Sequence, residues 1–209
     1  MIIVHHLEES RSQRILWLLE ELGLAYEVKR YARNPQTRLA PPELKAIHPL
    51  GKSPVIEKDG RVLAESGAIV EFLAESEGGG ALSVPPGHSA RAQYLYWLHF
   101  AEGSAMLPLL LKLYVGMLGE AGAPLLQMRV EPEIANHLAH ANDALGASDF
   151  FVDNRFTAAD IEMGFVLDAA RGRGGLENYS NLMRARAAHQ QRPAYQRALE
   201  KGGPYKMGA

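Results

Sequence analysis

The chain has 209 residues, of which 47% are hydrophobic and 22% are charged, a composition typical of globular domains. Its formal net charge of −2 gives no general attraction for nucleic acids or anionic membranes. It contains no cysteine, which excludes disulfides, zinc–thiolate sites and a nucleophilic thiol of its own. No signal peptide and no run of roughly 18 apolar residues is present, so we expect a cytoplasmic protein that does not enter a membrane.

The first third of the chain alternates strand and helix signals. The apolar run 2–4 predicts a buried strand, and the helical spacing of apolar residues over 15–22 predicts a helix that ends at Gly23. Residues 26–28 alternate as in a second strand, which a right-handed crossover would place parallel to the first. A polar, proline-containing loop follows over residues 34–49.

A hairpin and a helix complete this part of the chain. Two short apolar runs, 54–57 and 62–64, flank Asp59–Gly60, and Asp-Gly between such runs is a strong hairpin signal. Ser66 then opens a helix. The order βαβ, loop, ββα is that of a thioredoxin-like domain.

The second half of the chain shows only helical periodicity. A stretch rich in glycine and proline, 77–87, is typical of a linker between domains. We therefore predict a thioredoxin-like α/β domain over 1–76, a linker over 77–87 and an all-helical domain over 88–209. The helical patterns cover 90–118, with a bend or break at Pro108, and 132–145, 157–170, 176–189 and 193–201.

Four local motifs in this order resemble a known family. They are Ser10–Arg14, Lys52–Val55, Ala64–Ile69 and Phe156–Ile161. Over essentially its whole length the chain is similar to the cytosolic glutathione transferases, most of all to the bacterial and fungal members that use a serine. The resemblance implies a homodimeric detoxification enzyme with glutathione as co-substrate and neither a metal nor a nucleotide. Such an enzyme activates the glutathione thiol as a thiolate, which attacks a small hydrophobic electrophile.

Ser10 is the catalytic residue that the resemblance implies. It lies four residues before Arg14, as the catalytic serine does in several serine classes. A hydroxyl that donates to sulfur and the positive end of a helix both favour the thiolate over the thiol. Ser12 is the competing candidate, and helix capping is the structural alternative for both serines.

The resemblance also assigns the residues that bind glutathione. Lys52 would meet the glycyl carboxylate, and a cis Pro54 would present the backbone of Val55 to the cysteinyl unit, although a cis bond is improbable from sequence alone. Glu65 would pair with the ammonium group and Ser66 with the γ-glutamyl carboxylate. The simpler readings are a surface lysine, a proline at the start of a strand and a helix cap.

The electrophile pocket is less defined by the sequence. We place it near Leu7, Tyr31, Tyr114 and Met117. Glu102 is a candidate to face the glutathione site of a partner subunit, with a solvated acid as the alternative.

Other motifs have structural interpretations. Thr157 and Asp160 form a capping box, which we assign to folding. The adjacent His5 and His6, like the histidine pair of residues 137 and 140, are not expected to bind metal. A glutathione peroxidase or dehalogenase and a non-catalytic interaction module are the alternative functions.

Overall fold

A computed structural model describes residues 1–203 and 205–207 of the chain. They form two compact units, one made of residues 1–85 and 190–206, the other of residues 86–189 and Met207. The division predicted from the sequence, 1–76, 77–87 and 88–209, differs most at the C-terminus, where the last helix joins the first unit. Among the described residues, no helix has the length and apolarity to cross a membrane.

The first unit has the predicted thioredoxin-like topology. Its mixed sheet has the strand order β2-β1-β3-β4, with β1 parallel to β2 and antiparallel to β3. The strands are β1 Ile2–Leu7, β2 Tyr26–Tyr31, β3 Val55–Lys58 and β4 Arg61–Ala64, and the helices are α1 Ser12–Leu22, α2 Glu43–Ile47 and α3 Ser66–Phe72, which continues as a π-helical turn over Leu73–Glu77. Only α2 was not predicted, because this short helix lies in the polar loop.

Two turns of this unit confirm the sequence prediction. Gly23 ends α1 with a φ of 65°, the left-handed conformation of a C-cap glycine. Asp59 and Gly60 join β3 to β4 with φ values of 50° and 74°. Positive φ at both central residues is what the right-handed twist of a two-residue hairpin requires.

The last helix, α10, Pro193–Gly202, packs on α1 and thereby belongs to the first unit. The rings of Trp17 and Tyr195 meet edge to face at 5.1 Å, and Arg192 Nε lies 2.6 Å from Glu21 Oε1. The helical pattern over residues 193–201 predicted α10 correctly. The sequence did not show which surface its apolar face would cover.

The second unit is helical, as predicted. Its helices are α4 Arg91–Phe100, α5 Met106–Gly116, α6 Ala123–Leu125, α7 Glu131–Leu145, α8 Ala158–Arg173 and α9 Ser180–Gln190. The break expected at Pro108 lies upstream, in a π-helical stretch over Ala101–Ala105. A proline ring displaces the carbonyl four residues before it, here that of Ser104, so the distortion falls within this stretch.

The capping box at the start of α8 forms as predicted. Asp160 Oδ2 accepts from the Thr157 backbone N–H at 2.8 Å and from the Thr157 hydroxyl at 3.1 Å. Its other oxygen, Oδ1, accepts from the Phe151 N–H at 2.8 Å. Burial raises the pKa of this fully enclosed carboxyl to about 7. Asp160 therefore ties the preceding loop to the helix.

Candidate active site

The loop between β1 and α1 carries Ser10. Arg33 holds this loop from the side: its Nε donates to the Glu8 carbonyl and its Nη2 to the Glu9 carbonyl, both at 2.9 Å. Glu9 has a φ of 52°, a left-handed conformation that few residues other than glycine adopt. These contacts fix the backbone that places Ser10 two residues before the first residue of α1.

The hydroxyl of Ser10 is buried and makes short contacts with the interior. It donates to the Leu7 carbonyl at 2.7 Å, and its oxygen lies 2.8 Å from Ser12 Oγ. The Ser12 backbone N–H donates to the same oxygen at 3.3 Å. Because a serine hydroxyl has one proton, the interior acceptors compete for it with any ligand placed outside.

Ser12 lies deeper than Ser10 and contacts a histidine that the sequence analysis did not assign to the site. Ser12 Oγ is fully buried and lies 2.8 Å from His6 Nδ1. Burial lowers the pKa of His6 to about 4, and the charge of Arg30 acts in the same direction, so the ring is neutral near pH 7. The sequence signal that could have indicated this position of His6 is the alternation of side chains along β1, because its even-numbered side chains face α1.

His5 and His6 point to opposite faces of the sheet. His5 Nε2 lies 2.7 Å from Glu57 Oε1, and its Nδ1 lies 2.8 Å from the Tyr31 hydroxyl. The side chains of the two adjacent histidines are therefore not placed to bind the same metal ion. Within the described part of the chain, no group of three or more histidine or acidic side chains has a metal-binding arrangement.

The peptide bond between Ser53 and Pro54 is cis, as the resemblance implied. Val55 follows at the start of β3 and is paired in register with His5 of β1 and Ala64 of β4. Ser53 Oγ accepts from the Leu7 N–H at 3.2 Å. Leu7 therefore connects two motifs, because its carbonyl binds Ser10 and its N–H binds Ser53.

The third motif stands at the start of α3 and is joined to the first. Arg14, a buried residue of α1, donates from Nη1 to Ser66 Oγ at 3.1 Å. Glu65, the residue before α3, is exposed and has φ 74° and ψ 116°. Such a conformation is costly for a residue with a side chain, and residues of this kind cluster at ligand sites.

Lys52 is the predicted site residue with the least support from contacts. Its side chain is exposed, and within residues 1–203 and 205–207 it has no hydrogen bond or ion pair. Gly51 before it has a φ of 57°, and a Cβ there would lie 2.7 Å from Lys45 Cγ. Hydrogen bonds connect Ser10 with Ser12, and Ser66 with Arg14. Lys52 and Glu65 are near these residues only through their positions in the sequence.

The residues predicted for the electrophile pocket are divided between the units. Leu7 is buried and Tyr31 is bound to His5, both in the first unit. Tyr114 and Met117 belong to the second unit, where they are 56% and 70% exposed. The pocket and the role of Glu102 stay predictions.

Comparisons with known proteins identify the family to which the chain belongs. The family model described as "Glutathione S-transferase, N-terminal domain" matches residues 10–76. Glutathione S-transferase 3 of Schizosaccharomyces pombe is 34% identical, with 96% of this chain and 88% of the relative covered. Glutathione S-transferase 1 of Saccharomyces cerevisiae is 33% identical, with 81% of each chain covered.

A solved structure shows the same fold. The crystal structure of a glutathione S-transferase from Actinobacillus pleuropneumoniae is 34% identical and superposes with a TM-score of 0.90, covering 99% of this chain and 95% of that one. Identity at this level over nearly the whole length settles the family. The chain belongs to the glutathione S-transferases.

Proposed function

We propose that this glutathione transferase binds glutathione on its first unit and stabilises the thiolate with a hydrogen bond from Ser10. The observation that carries the proposal is the set of hydrogen bonds joining three motifs. Leu7 binds Ser10 on one side and Ser53, next to the cis Pro54, on the other. Arg14 binds Ser66 across the same unit.

The energy needed for thiol activation is modest. A free thiol has a pKa of about 8.5, and lowering it by about two units requires roughly 2.7 kcal/mol. A hydrogen bond to a charged acceptor contributes roughly 1.5–3 kcal/mol, against about 0.5–1.5 kcal/mol for one between neutral groups. A thiolate beside Ser10 therefore competes successfully with the Leu7 carbonyl for the Ser10 proton. The positive end of α1 adds to the effect.

The remaining assignments place the peptide of glutathione along the same surface. The N–H and C=O of Val55, at the first residue of β3, would bind the cysteinyl unit in a strand-like manner. The Ser66 hydroxyl accepts from Arg14 and so keeps its own proton for the γ-glutamyl carboxylate. Glu65 would meet the ligand's ammonium group. Lys52, whose exposed ammonium group has no ion pair among the described residues, would meet the glycyl carboxylate.

The finer assignments belong to the same proposal. The thiolate attacks a small hydrophobic electrophile, in a cytoplasmic homodimer that serves detoxification. With no cysteine in the chain, the glutathione sulfur is the nucleophile of the reaction.

Thermal unfolding with and without glutathione tests the proposal. A ligand that binds the folded state at 100 times its Kd adds about 2.7 kcal/mol of stability, so the Tm should rise with millimolar glutathione. An ultraviolet titration of the bound thiol should give a pKa well below that of free glutathione. The enzyme should also conjugate glutathione with an activated chloroarene. No rise in Tm would favour the interaction-module reading.

A further inference from the structure

Ser53 lies outside the paired part of the sheet, next to the end of β1. The register of β1 with β3 ends at the pair formed by His5 and Val55. Extended by two residues, this register places Ser53 opposite Leu7. Pro54, which stands between, has no N–H with which to continue the ladder. The backbone groups at the end of β1 therefore need another partner on this side.

The hydroxyl of Ser53 supplies that partner. It donates to the His5 carbonyl at 2.8 Å and accepts from the Leu7 N–H at 3.2 Å. Both directions are unambiguous, because a carbonyl only accepts and a backbone N–H only donates. Residues two apart on a strand present their backbone groups to the same side, which for His5 and Leu7 is the side of β3. One side chain thus replaces the backbone groups that a longer β3 would provide.

Leu7 connects this hydroxyl with the one proposed to act on the thiol. The Leu7 carbonyl accepts from Ser10 Oγ at 2.7 Å and from Ser12 Oγ at 3.3 Å. Leu7 is buried, so its N–H and C=O depend on partners within the protein. The position of the Ser10 oxygen therefore follows that of Leu7, and on the β3 side Leu7 is held by Ser53.

We propose that Ser53 is a positioning residue for the reaction: its hydroxyl holds the end of β1 and so sets the distance between the Ser10 hydroxyl and the start of β3. This inference rests on the proposed role of Ser10. Glutathione bound by the backbone of Val55 has its peptide at the start of β3 and its sulfur beside Ser10. Without the Ser53 hydroxyl the two parts of the site can move apart, and Ser10 then donates to the sulfur at a poorer distance.

The matched pair Ser53→Thr and Ser53→Val tests this role. Both side chains are β-branched and suit the extended backbone that precedes a proline, but only threonine has a hydroxyl. In an ultraviolet titration, the pKa of the bound glutathione thiol should keep its wild-type value in Ser53→Thr. In Ser53→Val it should rise by roughly half a unit to one unit, the scale of one weakened hydrogen bond. Equal thiol pKa values in the two variants would overturn the inference.

A double-mutant cycle separates this mechanism from a purely structural role. In a Ser10→Ala background there is no hydroxyl to position, so Ser53→Val should no longer move the thiol pKa. A shift of the same size in both backgrounds would mean that Ser53 acts on the sulfur by another route, which contradicts the inference. Failure of the proposed function looks different, because the wild type itself would then show no lowered thiol pKa.

Amide hydrogen exchange of the wild-type protein gives a test that needs no variant. Bound glutathione should immobilise the start of β3 and thereby strengthen the bond between Ser53 and the Leu7 N–H. Where exchange occurs by local opening, saturating glutathione should slow the Leu7 amide about two- to tenfold, the scale of one neutral hydrogen bond. The Glu8 amide, which donates to the Tyr31 carbonyl of β2 at 3.1 Å, is the control and should slow less. Equal slowing of both amides, or none at Leu7, would show that Ser53 does not connect the two parts of the site.

Discussion

The guanidinium of Arg14 donates to Ser66 Oγ over 3.1 Å and so joins the first turn of α1 to the first residue of α3. Both residues are buried. The contact spans 52 positions of sequence and connects the motif of the proposed catalytic serine with the motif that is proposed to hold the γ-glutamyl group. It also leaves the Ser66 hydroxyl proton for a ligand.

Ser66→Ala should weaken glutathione binding about 10- to 100-fold, the loss of one hydrogen bond to a charged carboxylate. Calorimetric titration of the variant with glutathione measures the effect. Ser83→Ala is the control, since Ser83 is a serine of the same unit with similar burial. Within the described residues its hydroxyl makes only a long 3.5 Å bond, to the Gly80 carbonyl. Equal affinities of both variants would remove Ser66 from the site.

Asp160→Ala should destabilise the protein by about 3 kcal/mol, with unchanged turnover per folded molecule. The substitution leaves the backbone N–H groups of Phe151 and Thr157 buried without their acceptor, at roughly 1–3 kcal/mol each. Denaturant unfolding measures the loss. Asp143→Ala, at an exposed position of α7, should change stability by less than about 0.5 kcal/mol. Normal stability with weak glutathione binding in Asp160→Ala would assign Asp160 to the site instead.

Between pH 4 and 6.5, two buried groups should change the free energy of unfolding in opposite directions as the pH rises. The pKa of His6 is lowered from 6.5 to about 4, so the stability it contributes is complete above pH 6.5 and is lost as the pH falls toward 4. The pKa of Asp160 is raised from 3.8 to about 7, so its contribution is complete below pH 3.8 and is lost as the pH rises to 7. Each amounts to a few kcal/mol.

Single variants should separate the two contributions. In His6→Phe, the free energy of unfolding should no longer contain the contribution that increases with pH. In Asp160→Ala, it should no longer contain the contribution that decreases with pH. Denaturant unfolding at several pH values between 4 and 7 measures both differences. Parallel pH curves for the wild type and either variant would show that the group in question does not titrate with unfolding.

The sequence predicted what local patterns determine. The hairpin at Asp59–Gly60, the C-cap at Gly23 and the capping box of Asp160 each depend on a few adjacent residues, and all three are confirmed. The four motifs also predicted the family, because their order and spacing extend over the whole chain.

The sequence patterns did not predict the contacts between segments that are far apart along the chain. The pairing of α10 with α1 depends on which surface is left uncovered by the sheet and its other helices, and no periodicity reports that. The same holds for His6, whose hydrogen-bond partner Ser12 lies at the start of a helix six residues later. Strand alternation showed its face, but not its partners.

Ser10→Ala should be the most damaging single substitution for catalysis. Removing the donor should raise the pKa of the bound thiol and leave the peptide contacts of glutathione intact, so affinity should fall little. Near neutral pH, kcat/KM should fall by about 10²-fold or more, the scale for loss of a preorganised donor to an anion. Higher pH should restore part of the activity, because hydroxide then ionises the thiol.

The control for this prediction cannot be Ser12→Ala alone, because Ser12 Oγ lies 2.8 Å from Ser10 Oγ and shares its proton network. The two serines are still distinguishable by the sign of the effect. Ser10→Ala removes a donor to sulfur and should raise the thiol pKa, whereas Ser12→Ala removes an interior acceptor that competes for the Ser10 proton and should lower it or leave it unchanged. A raised thiol pKa in Ser12→Ala, together with a normal one in Ser10→Ala, would transfer the catalytic role to Ser12. If neither variant moved the titration, thiol activation would have to come from backbone N–H groups and the end of α1, and the serine mechanism would be wrong.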